Sequence, residues 1–213
     1  MVHVSLRRAG GIAALAAPVL MWSEFLTHGL NRQGYDLLTR PFSDLATRGT
    51  PGANEFMIGF FLVPGLLTVL VGIGLWFSTH GSPAWRLGSV LIMAAGIFLF
   101  ATGVFQQDPH SYVAGVVHGT VSQTCFAIAS VAPLVLFIGS LRSSHLDPPR
   151  RLWLVAGLAA VAIEGLGVAV RPVTSYPDGL FQRPFTMVLT IWFLATGAWL
   201  LRHRTRDGAR LAN

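Results

Sequence analysis

Six long apolar runs limit the fold of this chain more than any other feature of its sequence. A helix of about 20 residues crosses the hydrocarbon core of a bilayer, and a helix satisfies its own backbone hydrogen bonds there. The runs cover residues 10–30, 54–77, 85–105, 113–141, 152–170 and 180–201. We therefore predict an all-α fold: an integral membrane bundle of six transmembrane helices, forming a single domain over residues 1–213.

The charged residues are few, and the basic ones are all of one kind. Only 11% of the residues are charged, whereas a soluble domain carries about 25%. All fifteen basic residues are arginines, and most lie in the short connections between apolar runs. This placement is typical of topology signals and lipid-headgroup contacts, so we expect no nucleic-acid partner.

The arginines also indicate how the bundle is oriented. Ten of them fall on the side of the two termini and five on the opposite side. Because cytoplasmic loops carry an excess of basic residues, we predict a bacterial inner-membrane protein with both termini in the cytoplasm. The first apolar run is longer than the apolar core of a signal peptide, which spans about 7–15 residues, so we expect this helix to be retained.

The acidic residues are collected at one end of the predicted bundle. Seven of the nine fall in the outer loops or in the outer halves of helices, and three histidines join them there. The acids are Glu24, Asp36, Asp44, Glu55, Asp108, Glu164 and Asp178, and the histidines are His28, His110 and His118. Alternate loops share a side, so this asymmetry does not depend on the orientation. It predicts a functional site at that end.

Two glutamates lie inside apolar segments. A charged side chain at mid-membrane costs about 3 kcal/mol, and such residues are by default candidates for function. His28 follows Glu24 by four residues and so shares its helical face, which fits a proton donor or relay. Glu164 precedes Arg171 by seven residues on one face. The alternative for both acids is a structural hydrogen bond to a neighbouring helix.

The first outer loop, YDLLTRPFSDLATRGTPGANEF, mixes apolar and charged residues. It is too polar to span a membrane and too apolar for a loose linker, so we predict one or two short amphipathic helices across the bundle mouth. Arg40, Ser43, Asp44 and Arg48 would then point down into the bundle or into partner loops. Ser43 and Asp44 can instead cap a short helix, which is a purely structural role.

The second outer loop, GVFQQDPHSYVAGVVHG, brings Asp108, His110 and His118 together in sequence. Imidazole and carboxylate suit zinc or iron, but no HxxH or HExxH spacing is present. We therefore assign no metal and no cofactor, and expect His118 and Ser122 to form a polar cluster. Nearby aromatic residues are candidates for a pocket lining: Trp22, Phe25, Phe98, Phe105 and Phe126. Most tryptophans lie near segment ends, which predicts an interfacial belt.

The stretches RPFSDLATRGTPGANEFMIGFF and GVFQQDPHSYVAGVVHG, set in six spans, resemble the bacterial membrane family of domain of unknown function 998. The resemblance covers nearly the whole chain and implies a six-helix fold without implying an activity. The family usually shows Phe-Pro before the aspartate, where this chain has Gln106 and Gln107. In its size, helical composition and intramembrane acids the chain is also similar to small bacterial membrane-bound terpene cyclases.

These features lead to one leading hypothesis and two alternatives. The leading hypothesis is an intramembrane acid–base enzyme that cyclises or isomerises a lipophilic isoprenoid-type substrate, with membrane lipids around it. Its catalytic candidates are Glu24, Glu164, His28, Asp44, Asp108 and His118, and its substrate-binding candidates are Trp22, Phe25, Arg40, Arg48, Phe98, Phe105, Phe126 and Arg171. The alternatives are a proton-coupled transporter or lipid-binding membrane protein, and a metal-dependent lipid hydrolase. The sequence does not indicate the oligomeric state.

Overall fold

Six membrane-spanning helices account for almost all of the described structure, a computed structural model covering residues 2–78, 82–142, 148–170 and 178–202. The helices are α1 (Val2–Asn31), α2 (Ala53–Phe56), α3 (Val63–Trp76), α4 (Pro83–Val104), α5 (Tyr112–Leu141), α6 (Arg150–Val170) and α7 (Gly179–Arg202). A π-helical turn, Met57–Leu62, joins α2 to α3, so these three pieces make one span. The predicted all-α bundle of six transmembrane helices is thereby confirmed. Only α1 begins well before its predicted start, because residues 2–9 contain no helix breaker.

The helices form a ring in chain order. Each span packs against the next one along the chain, and α7 closes the ring by packing against α1. Small residues let the backbones approach closely where no hydrophobic drive exists between helices. A Cβ on Gly96 of α4 would lie 2.6 Å from the carbonyl oxygen of Gly65 in α3. The α1–α3 contact is built in the same way around Gly10 and Gly74.

Tryptophans fill the ring at the end that holds the termini. Trp85, Trp153 and Trp192 are fully buried and Trp199 is nearly so, and they pack with Leu136 and its neighbours in one cluster. The indole of Trp85 donates a hydrogen bond to the Leu75 carbonyl at 2.8 Å. The predicted interfacial belt is therefore wrong for these four residues. They pack against one another inside the bundle, although Trp85, Trp153 and Trp199 lie near helix ends.

The opposite end, called here the cavity end, carries the connections at residues 32–52 and 105–111 and the start of α7. The first of these contains a short 3₁₀ helix, Phe42–Ala46, which confirms the predicted amphipathic helix. Its apolar residues, Phe42, Leu45 and Ala46, are buried in an aromatic cluster with Phe25 and Tyr35. This loop therefore lies against the helices as a lid over the ring.

Candidate functional site

A cavity of about 660 Å³ lies inside the ring at the cavity end. Its volume falls within the range of about 300–1,000 Å³ that is usual for small-molecule sites. Hydroxyl, amide and other polar side chains make up half of its wall: Ser43, Thr102, Gln107, His118, Thr120, Ser122, Gln123, Asp178, Gln182 and Thr186. The rest is apolar and largely aromatic, including Phe42, Phe60, Phe61 and Phe126.

A narrower apolar slot of about 80 Å³ continues from this cavity toward the middle of the bundle. The two spaces share five lining residues, namely Met21, Leu99, Cys125, Phe126 and Thr186. Beyond these, the slot is lined mainly by alanines and apolar side chains, such as Ala17, Ala95, Ala129 and Leu189. The ring therefore contains a polar chamber at one end and an apolar extension below it.

His118 and Ser122 present one face of α5 to the chamber. Nδ1 of the buried His118 lies 2.7 Å from the carbonyl oxygen of Phe105, which follows the end of α4. A carbonyl only accepts hydrogen bonds, so this ring nitrogen carries a proton and satisfies a carbonyl that the helix end leaves free. Ser122 lies one turn further along, and its buried hydroxyl has no hydrogen-bond partner among the described residues. The two side chains share the predicted face, but no hydrogen bond joins them, and His118 instead holds α4 to α5.

Glu164 and Asp178 line a second, smaller hollow beside the chamber, between α5, α6 and α7. The Gln123 amide donates a hydrogen bond to Oε1 of Glu164, which joins α5 to α6. Asp178 stands immediately before α7, where a carboxylate also stabilises the helix N-terminus. The hollow and the chamber share Phe126, Asp178 and Gln182. The structural hydrogen bond considered for Glu164 is present, and the carboxyl still lies next to the chamber.

Glu24 and His28 lie elsewhere, on the seam between α1 and α2. Their side chains form the predicted pair, with 3.2 Å between Nε2 of His28 and Oε2 of Glu24. Glu24 packs on Gly59 within the π-helical turn, where any Cβ would clash with the carboxyl at 2.4 Å. Pro64 has no N–H to donate to the preceding turn, which favours this local change of helical register. The structure therefore does not bring Glu24 and Glu164 into one cavity.

The charged residues of the first loop are paired along its surface. Arg40 lies 3.7 Å from Asp44, and Arg48 lies 3.4 Å from Asp108, which links the first and second loops. Burial raises the pKa of the Asp44 carboxyl, and the neighbouring guanidinium groups of Arg40 and Arg32 partly offset this. None of these four paired residues lines the chamber. Their geometry indicates a role in holding the loops.

Arg183 holds the first loop next to the chamber, although the sequence indicated only a topology signal at this position. Its guanidinium, half-buried at the start of α7, lies 4.5 Å from the ring centre of Phe42 and 4.9 Å from that of Phe25. It also donates a hydrogen bond to the Tyr35 hydroxyl at 2.8 Å. Burial raises the pKa of Tyr35, against the influence of this cation. Arg183 thus fastens the first loop to α7. The sequence feature that could have predicted this contact is an arginine placed between two phenylalanines within an apolar run.

The aromatic candidates separate into different roles. Phe126 lines the chamber, the slot and the small hollow. Trp22 instead donates a hydrogen bond to Thr190 at 2.8 Å and packs edge-on against Phe25. Phe98 and Phe105 line none of these three spaces, and Phe105 is exposed. Arg171 lies outside the described residues.

No three histidine, cysteine or carboxylate side chains come close enough to hold a metal ion within the described ranges. Asp108 accepts a hydrogen bond from the backbone of His110 and pairs with Arg48, whereas His118 is turned to the Phe105 carbonyl. The metal-dependent hydrolase hypothesis therefore has no support from this geometry.

The model of a family described as "Protein of unknown function (DUF998)" matches residues 15–199. No curated protein matches the chain, and no solved structure matches it.

Proposed function

The chain belongs to the DUF998 family, whose function is unknown, and we propose that it binds a membrane-dissolved amphiphile in the space inside its ring of helices. The observation that carries this proposal is the continuity between the polar chamber and the apolar slot, which share five lining residues. An amphiphile matches both parts, with its head in the chamber and the first carbons of its tail in the slot.

The physical basis is the desolvation of each part of the ligand. Burying a polar head in lipid without hydrogen bonds is costly, and the chamber supplies hydroxyls and amides inside the bundle. The slot offers the tail an apolar, mostly aliphatic wall. Of the functions suggested by the sequence, binding of a lipophilic molecule is therefore the one that the geometry favours.

We expect an Ala129→Trp variant to lose the bound amphiphile, because the indole would occupy the slot that Ala129 lines. Ala127→Trp is the matched control, since it adds the same ring two residues away on the exposed face of α5. Lipid that is retained through purification is extracted from wild type and from both variants and quantified by mass spectrometry. Retention in wild type and Ala127→Trp, with loss in Ala129→Trp, is the expected result. Equal lipid content in all three would contradict the proposal.

A location and orientation accompany this proposal. We propose that the protein lies in a bacterial inner membrane with its termini in the cytoplasm, on the support of the ten-to-five arginine asymmetry. The cavity end then lies in the outer leaflet, and the amphiphile enters from that side.

A second candidate is acid–base catalysis on a bound isoprenoid, favoured by the position of Glu164 and Asp178 beside aromatic walls. In such a reaction the carboxylic O–H bond breaks as the alkene π electrons form a C–H bond. Aromatic faces stabilise the resulting cation, and loss of a neighbouring C–H proton to a base restores a double bond. The net change is an isomerisation that needs no co-reactant.

Incubation in heavy water tests this candidate, because a proton-initiated isomerisation places one solvent deuterium in its product. Prenylated alcohols are presented to the protein in lipid nanodiscs, and products are analysed by mass spectrometry. We expect Glu164→Gln or Asp178→Asn to reduce deuterium incorporation by about 10²-fold or more, the usual effect of losing a general acid or base. Asparagine keeps the size of the side chain at the start of α7, and Glu55→Gln, which changes an exposed acid of α2, is the control. Unlabelled products, or labelling that persists in both variants, would exclude acid roles for these carboxyls.

A further inference from the structure

We infer that the head of the bound amphiphile is uncharged and carries several hydroxyl groups, as in a glycosylated or otherwise polyhydroxylated neutral lipid. This inference rests on the proposed function, because it names the chemical class that the chamber would accept. It follows from two independent properties of the chamber wall: the absence of cations among its described residues, and a mixture of hydrogen-bond donors and acceptors.

The first property is the lack of positive charge. No arginine is among the described residues that line the chamber. The nearby arginines are held outside the chamber wall: Arg40 pairs with Asp44, Arg48 pairs with Asp108, and Arg183 bonds to Tyr35 through Nη2 and lies against Phe25 and Phe42, while its buried Nε and Nη1 have no hydrogen-bond partner among the described residues. A phosphate or carboxylate transferred from water into this space would lose its hydration without gaining a counter-charge, which is strongly unfavourable.

The second property is the availability of both donors and acceptors. Oε1 of Gln182 accepts the Phe42 backbone N–H at 3.0 Å, which leaves the amide nitrogen as a donor toward the chamber that Gln182 lines. Thr102 and Thr120 donate their hydroxyl protons to carbonyls of their own helices, so their oxygens remain acceptors. The buried Ser122 hydroxyl has no partner among the residues that the structure describes and can serve as either.

A hydroxyl group matches this wall because it donates and accepts at the same atom. A phosphate only accepts. A quaternary ammonium neither donates nor accepts, and the one carboxylate among the described lining residues, Asp178, stands at the N-terminus of α7, where the helix dipole already offsets its charge. An unpartnered buried hydroxyl such as that of Ser122 costs stability unless something completes its hydrogen bonding. A ligand hydroxyl does so, and a polyhydroxylated head can satisfy several such groups at once.

Lipids with identical acyl tails and different heads test the inference. Dioleoylglycerol, a monoglycosyl dioleoylglycerol, dioleoyl phosphatidate and a cationic dioleoyl ammonium lipid are each titrated against the purified full chain, and bound lipid is read by native mass spectrometry. We expect the glycosylated lipid to bind about tenfold or more tightly than the phosphatidate and the ammonium lipid. The same order of affinities is expected for Arg171→Gln, which removes an arginine that lies outside the described residues. Preference for phosphatidate or for the cationic lipid would overturn the inference.

Two substitutions with a matched control connect the selectivity to the chamber. Ser122→Ala removes the unpartnered hydroxyl, and Gln182→Glu keeps an oxygen for the Phe42 N–H while removing the amide donor. We expect each to weaken binding of the glycosylated lipid about three- to tenfold, the effect of one hydrogen bond, with little effect on dioleoylglycerol. Ser130→Ala is the control, since its hydroxyl bonds to the Ala127 carbonyl of its own helix and lines none of the three spaces. Equal effects of all three substitutions would place the head elsewhere.

The failure of this inference is distinguishable from the failure of the proposed function. If none of the four lipids binds, or if Ala129→Trp binds them as wild type does, amphiphile binding in the ring is itself wrong. If lipids bind in an Ala129-dependent way but the charged heads are preferred, only the assignment of the head group is wrong.

Discussion

Replacing Gly96 with leucine is expected to lower the free energy of unfolding in detergent by more than about 3 kcal/mol, at or above the upper end of ordinary overpacking. A side chain at this position would meet the Gly65 carbonyl oxygen at 2.6 Å and the Val69 nitrogen at 2.7 Å. Both are backbone atoms, so no side-chain rotation relieves the clash and α3 and α4 must separate. Because the chamber is enclosed by the ring that this contact closes, lipid binding is expected to be lost with it.

Gly165→Leu is the matched control for this substitution. Gly165 also lies within a spanning helix, but a Cβ there meets no atom within 4 Å. Leucine at this exposed position is expected to leave stability within about 0.5 kcal/mol of wild type. Thermal and denaturant unfolding in the same detergent compare the two variants, and Gly96→Ala gives the intermediate case. If Gly96→Leu unfolded like Gly165→Leu, the close α3–α4 packing would not exist in solution.

The removal of the Arg183 side chain is expected to release the first loop from the bundle. Arg183→Ala loses the charged hydrogen bond to Tyr35 and the contacts over Phe25 and Phe42. Together these interactions are worth about 2–4 kcal/mol. Because Pro41, Phe42 and Ser43 line the chamber, the affinity for the amphiphile is expected to fall together with the stability. Lysine at this position keeps the charge without the planar fork, so an intermediate loss is expected.

Hydrogen exchange localises the effect of Arg183→Ala. Faster exchange is expected in residues 36–46, while the tryptophan cluster at the opposite end remains protected. Arg40→Ala is the control, because its exposed ion pair with Asp44 contributes at most about 1 kcal/mol. Unchanged exchange in the loop of Arg183→Ala would show that another contact fastens it.

The sequence and the structure agree where local properties decide the outcome. Length and apolar character are read within a single segment, and lipid accepts only a helix there. The predicted bounds of the second to sixth spans therefore differ from the observed helices by at most two residues. The Glu24–His28 pair could also be predicted from the sequence, since one helical turn separates its members.

The assignments that failed or remained open all concern contacts between distant parts of the chain. A tryptophan near a helix end has the same sequence pattern whether it faces lipid or the bundle, so the burial of Trp85, Trp153 and Trp199 in one cluster could not be distinguished from a belt. The two intramembrane glutamates likewise looked equivalent. Only packing shows that Glu24 lies on the α1–α2 seam and Glu164 beside the chamber.

By itself, then, the sequence determined that this chain crosses a membrane as six helices and that its acids gather at one end, because solvation by lipid and alternation of loops are properties of the linear chain. Only the tertiary structure decided which side chains meet. The bond from Arg183 to Tyr35 joins residues 148 positions apart, and the one from Gln182 to Phe42 joins residues 140 apart. Such contacts depend on how the helices pack into a ring at their glycines. The same packing leaves the space of the chamber inside the ring.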